Sequence, residues 1–173
     1  MRDPRAREGG VGALRIGVVS DTHNHLGNVA RIVELLNAAR VERVVHTGDI
    51  TQAKTLELLA RLDAPLVGVF GNNDEREPLR EAAARLGFEL GEPPLERVWA
   101  ARRIVVVHDP RDLGRALRAE HALALHGHTH RHVVERSGGC LVFNPGECAG
   151  HLPGRNAVGV VDLASLAVEL LRF

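Results

Sequence analysis

The chain has no tyrosine, one tryptophan and four phenylalanines, so aromatic residues make up only 3% of its 173 positions. A stacking platform for unpaired bases needs aromatic faces in series, and this composition does not supply one. Net charge is also lacking, because 22 Lys and Arg are matched by 22 Asp and Glu. No global field draws the chain to polynucleotide or to an anionic membrane, and any attraction for phosphate has to be local. Cysteine is scarce: Cys140 and Cys148 form neither a CxxC pair nor a disulfide framework, which points to a reducing cytosol. No apolar run approaches the ~18 residues of a membrane span. Residues 1–13 carry charge and glycine but no apolar secretion-signal core, and they read as a mobile leader. Residues 14–173 are enough to bury one core without disulfides, so a single domain is expected there.

What is present is a set of short apolar runs, five of which end in residues that bind divalent metals. LRIGVVS runs into Asp21-Thr22-His23, VERVVHTG into Asp49, PLVGVFG into Asn72, RRIVVVH stops on His108, and HALALHG opens onto His128-Thr129-His130. Buried strands read as continuous Val/Ile/Leu runs, and ligands of open α/β sheets gather beyond the carboxyl ends of the strands. Two carboxylates, one amide and four imidazoles are therefore expected to converge on one edge of the fold.

Between these runs lie helical periods. Val29, Ile32, Val33 and Leu36 share one face of a 3.6-residue repeat. The pattern recurs at Leu56, Leu59 and Leu62, at Leu79, Ala83 and Leu86, and more faintly at Leu113, Ala116 and Leu117. Alternation of strand and helix from 14 to about 125 implies βαβ units and a largely parallel sheet. The segment from Val98 to Ile104 lacks a helical period and reads as a hairpin. Beyond His130 the chain reads as all-β, with His132–Arg136 and Cys140–Phe143 joined at Ser137-Gly138-Gly139, and a last pair over 157–173 turning near Ala164-Ser165. The expected fold is α/β: two packed mixed β-sheets flanked by helices.

Asp-x-His at 21–23, Gly-Asp at 48–49, Gly-Asn-Asn-Asp at 71–74, a strand-terminal His108 and Gly-His-Thr-His at 127–130 together resemble the calcineurin-like metallophosphoesterases. Within that superfamily the chain is similar to the small stand-alone phosphodiesterases, from about Leu14 to the C-terminus, including a late loop at Asn144-Pro145-Gly146-Glu147-Cys148. Each motif alone is weak; five in the expected order are specific. The resemblance implies an α/β/β/α sandwich and a division of ligands: Asp21, His23, Asp49 and His130 on one metal, and Asp49, Asn72, His108 and His128 on the other, with Asp49 bridging. Asp49, Asn72 and His128 are counted as catalytic. If locally extended, residues i and i+2 point to one side, so Asp21 with His23 and His128 with His130 would face one ion cluster.

Two divalent ions held by only two carboxylates leave a charge of about +2, an anion trap in which a hydroxide bridging ions roughly 3.5–4 Å apart attacks phosphorus. The implied reaction is hydrolysis of a small phosphodiester. The mixed N/O donor set makes Mn the expected metal, with Ni, Co, Fe or Zn also suited and Mg or Ca less so. The absence of tyrosine excludes a tyrosinate-ligated iron site of the purple acid phosphatase type. The alternatives are a non-catalytic interaction scaffold with the same fold, as in a eukaryotic retromer subunit, and a phosphomonoesterase or nuclease using the same centre. Strong nucleic-acid binding and membrane attachment are not expected; a cytoplasmic location is, and the resemblance adds homo-oligomerisation.

One departure from the family pattern concerns proton transfer. Many relatives carry a His after the metal-binding Asn, and here the residue is Asn73, which has no proton to give at neutral pH. His25 and His151 are candidate substitutes. These two and His126 stand between a role facing the site and simple solvent exposure. His46 reads as a packing or hydrogen-bonding residue, and His121 and His132 as structural or exposed. Asp74 either orients a ligand or caps a turn. Asn144-Pro145-Gly146 reads as a turn supporting the site, Cys148 as a small buried residue, and Arg111, Arg115 and Arg118 as solvated surface more than as a phosphate-binding face.

Overall fold

The computed structural model describes residues 14–173, and the expected leader at 1–13 lies outside the described residues. From Arg15 the chain alternates β1 (Arg15–Val19), α1 (Leu26–Ala38), β2 (Arg43–His46), α2 (Ala53–Leu59), β3 (Leu66–Val69), α3 (Arg76–Leu86) and β4 (Glu89–Gly91). The hairpin β5 (Leu95–Trp99) and β6 (Arg102–Val106) follows, then a 3₁₀ turn at Pro110–Asp112 and the short α4 (Leu113–Ala116). The rest is β7 (His121–Leu125), β8 (Val133–Ser137), β9 (Cys140–Asn144), β10 (Ala157–Asp162) and β11 (Ala167–Arg172). Among the described residues no helix is long and apolar enough to cross a membrane.

Three details differ from the expectations. Leu62 falls past the end of α2, where Arg61 and Leu62 donate to the carbonyls of Leu58 and Leu59 and close the helix as a turn. The faint fourth period yields only a four-residue helix, which contains Gly114 and is ended by an extended Leu117; glycine's low helix propensity disfavours a longer one. The three-residue β4 was not anticipated, because it is too short to carry an alternation signal.

The strands form two mixed sheets, ordered β11-β10-β1-β2-β3-β4 and β5-β6-β7-β9-β8. Within them β1 to β4 run parallel, as do β6, β7 and β9, while β5, β8 and β10 join antiparallel. Strand alternation assigns each residue to a layer. Val19, Val44 and Leu66 pack under α1, α2 and α3 with Ile32, Leu36, Leu56 and Leu79. Ile16, Val18, Val45 and Val69 instead face Ile104, Val106, Leu123, Leu125 and Phe143 of the second sheet. Val105, Val107 and Ala124 on its outer side lie under Ala116 of α4, with Leu113 and Leu117 partly buried against them. The two sheets thus present the carboxyl ends of β1, β2, β3, β6, β7 and β9 along one edge.

The two sheets pack closely where Gly159 of β10 faces the ring of Phe143, whose Cε1 and Cζ occupy the space a Cβ at 159 would need. Phe143 is fully buried and has no free direction in which to yield. Gly159→Ala is therefore expected to destabilise the fold by about 1–3 kcal/mol through overpacking, read as a lower urea midpoint. An unchanged midpoint would show that the sheets separate more easily than this packing implies.

Candidate metal centre

The turns leaving β1, β2 and β7 use left-handed backbone. Asp21 (φ 51°), His23 (φ 42°), Asp49 (φ 56°), His128 (φ 67°) and His130 (φ 56°) all have positive φ, a conformation that side chains with a Cβ adopt at a cost and that clusters at functional sites. The expected extended geometry for Asp21 to His23 and for His128 to His130 is thus corrected. Tight turns, rather than strand alternation, aim these side chains. Gly71 answers a related constraint, because a Cβ there would collide with the backbone and carboxylate of Asp49.

The structure brings together all seven residues singled out from the sequence. Asp21, His23 and His130 form one cluster of possible ligand atoms, and Asp49, His108 and His128 another. Asp49 Oδ2 stands between them, 3.4 Å from His23 Nε2 and 3.4 Å from His108 Nε2. Asn72 Oδ1 lies 3.0 Å from both His108 Nε2 and His128 Nδ1, and His23 Nε2 is 3.3 Å from His130 Nε2.

The surrounding bonds set which nitrogen faces inward. His108 Nδ1 donates to the Thr47 carbonyl at 2.9 Å, leaving Nε2 toward Asp49. His130 Nδ1 donates to the fully buried Glu147 carboxylate at 2.9 Å, leaving Nε2 toward Asp21 and His23. Such carboxylate and carbonyl partners orient metal-binding imidazoles. Asp21 Oδ2 accepts from Ser20 Oγ and, at 3.0 Å, from His128 N.

The electrostatics favour a cation. Asp21 is fully buried and its Oδ1 has no hydrogen-bond partner among the described residues; burial pushes its pKa up. Burial works upward on Asp49 too, but hydrogen bonds from His108 and Asn73 outweigh it and hold its pKa well below the usual carboxylate range. Burial opposes charge on His108, yet the facing Asp49 carboxylate raises its pKa. An orphaned buried carboxylate oxygen and inward-facing imidazole nitrogens are what a divalent ion would satisfy, so the donor set fits a metal.

The remaining residues sort by contact. Asn73 binds Asp49 with both its backbone N and its side-chain Nδ2, each at 2.9 Å. Asp74 ties two loops together, accepting from Thr51 N at 2.6 Å and Gly71 N at 2.7 Å. Asn144 donates to Gly127 O and Thr129 Oγ1 and accepts from Gly146 N, bracing the loop that carries His128 and His130. His25 is exposed and caps α1 by accepting from Asn28 N at 3.2 Å. His126 and His121 are buried, which overturns solvent exposure for both, whereas His132 is exposed. His151 is exposed and stacks on His130 with ring centroids 5.5 Å apart. Cys148 is fully buried, and burial pushes its thiol up to about 12.

Two residues at the centre escaped the sequence reading. Glu147 stood inside the late loop without a role; its signal was a sixth apolar run, CLVFN, followed after Pro145-Gly146 by this carboxylate. Asp109 follows His108 directly and lies 3.7 Å from His128 Nε2. The Arg111 guanidinium at 2.5 Å holds its pKa down to about 2. On this flank a cleft of about 420 Å³ opens, lined in part by Phe70, Asn72, Arg76, His108 and His128.

A sequence model of the calcineurin-like phosphoesterase superfamily domain matches residues 14–165. The chain belongs to that superfamily. It is 32% identical over 154 residues to a phosphodiesterase of Methanocaldococcus jannaschii, a match covering 86% of this chain and 93% of that protein. The superfamily fold is equally plain in solved structures. An archaeal phosphodiesterase superposes with a TM-score of 0.85 at 30% identity, covering 92% of this chain and 99% of the other. The Escherichia coli phosphoesterase Yfce superposes at 0.67 and 22% identity, over 91% and 98% of the chains. Vacuolar Protein Sorting 29 of Cryptosporidium parvum superposes at 0.63 and 18%, over 93% and 97%. The last two establish a common fold only.

His46 gives the centre a pH signature. Its Nδ1 accepts from Gly48 N at 3.2 Å and its Nε2 meets Thr22 Oγ1 at 3.1 Å, which suits a neutral ring. Burial lowers its pKa from 6.5 to about 3. Between these values the unfolded chain takes up a proton that the folded chain does not, so stability present above pH 6.5 is lost as pH falls toward 3. Metal-free protein should lose stability over this window more steeply than His46→Gln, as read by urea midpoints. Equal slopes would remove His46 as the source.

Proposed function

We propose that the protein is a metal-dependent phosphodiesterase that hydrolyses a P–O bond of a small diester, with Asp21, His23, Asp49 and His130 holding one divalent ion and Asp49, Asn72, His108 and His128 a second. The observation that carries this reading is the position of Asp49 Oδ2, at equal distance from a histidine of each cluster. The relative named as a phosphodiesterase supports the diester. Mn suits the N/O donor set, as do Ni, Co, Fe and Zn. Bound ions of this kind acidify water to a nucleophile and offset charge developing on phosphoryl oxygens.

The chain's own residues do the positioning. Thr47 and Glu147 fix the tautomers of His108 and His130, and Ser20 and the His128 backbone N–H fix Asp21. Asn73 holds Asp49 in place but supplies no proton to the departing oxygen, so esters with good leaving groups are the favoured substrates. The cleft beside Asn72 and His128 is large enough for one arm of a small diester.

Metal-stripped protein should be inactive on bis-p-nitrophenyl phosphate and gain turnover with Mn²⁺, and Asp49→Asn should abolish that gain. No turnover with Mn²⁺, Ni²⁺, Co²⁺ or Zn²⁺ would replace this reading with a metal-binding scaffold. Glu147→Gln should lower Mn²⁺ affinity by roughly 10–100-fold, measured by calorimetry, because His130 loses its charged partner. Unchanged affinity would place Glu147 outside the centre.

A further inference from the structure

Apart from the Asn72 cleft, His130 lines a second cleft of about 590 Å³ that contains Arg131, His132, Arg155 and Arg172 and, among the described residues, no carboxylate side chain. The three arginines come from separate places: the residue after His130, the loop between β9 and β10, and β11. Five arginines elsewhere on the surface, Arg76, Arg80, Arg85, Arg97 and Arg111, are each paired with an acid. Among the described residues, Arg131, Arg155 and Arg172 line the cleft, are exposed, and have no ion pair and no side-chain hydrogen bond.

In a chain whose basic and acidic residues balance at 22 each, three unneutralised cations in one concavity are a local concentration of charge. Like charges held together repel, and a cleft focuses their field on whatever enters it. Guanidinium groups match the geometry of phosphate oxygens and bind them through paired N–H donors. No Phe or Trp lines the cleft, so it lacks a stacking face for bases and suits a compact anion better than a polynucleotide.

We infer that this cleft is a subsite for a second phosphate group carried on one arm of the substrate, with Arg155 and Arg172 as its specificity-determining residues. The inference rests on the phosphodiesterase reading for the identity of the ligand as substrate, and it makes the substrate class a diester bearing a further phosphate. The scissile group lies at the paired clusters while the additional phosphate extends past His130 to the arginines. Arg131 belongs to the same cleft but follows His130 in the chain, so the tests rely on the other two.

Binding is measured first, by calorimetry with pyrophosphate and metal-free protein. One equivalent should bind, and Arg155→Gln/Arg172→Gln should weaken it by about tenfold or more, since each charge-assisted contact is worth about that factor. Both arginines are exposed, and thermal melting checks that the variant is folded. Absence of binding, or equal affinity in a folded variant, overturns the subsite. In Mn²⁺-loaded protein, kcat/KM is then compared for bis-p-nitrophenyl phosphate and for the p-nitrophenyl ester of thymidine 5′-phosphate that carries a second phosphate on O3′. The wild type should prefer the second substrate, and the double variant should lose about tenfold of that preference; an unchanged ratio overturns the proposal. Turnover of neither substrate, alongside arginine-dependent pyrophosphate binding, would overturn the phosphodiesterase reading and the substrate assignment while leaving an anion site.

Discussion

Asp49 is the joint on which the centre depends. Its Oδ2 sits 3.4 Å from a histidine of each cluster, and that position is over-determined. The backbone at 49 is left-handed, Asn73 grips the carboxylate with two N–H donors, and Gly71 leaves the side chain room to pass. Asp74 then ties the β3 turn to Thr51 just beyond Asp49. Moving this one carboxylate would remove the atom that stands 3.4 Å from a histidine of each cluster.

Such crowding is costly. Buried carboxylates, left-handed turns and facing imidazole nitrogens each oppose folding by amounts of order 1–3 kcal/mol. Three apolar layers offset them: helices on the first sheet, sheet on sheet, and α4 on the second sheet. The centre sits where those layers end, so its strained turns are anchored directly to the ends of buried strands. The same layout separates the two flanks. One cleft opens beside Asn72 and His128 with its charges largely paired, and the other beside His130 with its arginines unpaired. A substrate spanning both, as inferred above, would have its reacting phosphorus over the clusters and its two arms in the flanking clefts.

Much of the fold was legible because each apolar run had a period. The three strong helical repeats became α1, α2 and α3, and the late all-β segment became two hairpins. Failures came where a signal was short or ambiguous: β4 has three residues, α4 has four, and Leu62 continued a period that the helix did not. At the centre, the seven residues at strand ends were found because chemically distinctive side chains followed buried runs. Glu147 was passed over because a lone carboxylate in a Pro-Gly turn looks like surface, although it is fully buried.

The sequence by itself determined which side chains lie at strand ends and that parallel strands would bring those ends to one edge, since hydrophobic period and connection length dictate both. Only the tertiary structure decided how they meet. The aim of Asp21, His23, His128 and His130 follows from positive-φ turns, which no periodicity encodes. The pairing of Glu147 with His130, and the meeting of Arg131, Arg155 and Arg172, join positions far apart in the chain. Residues so separated become neighbours only when both sheets have packed, and their charges act on one another only at that short range.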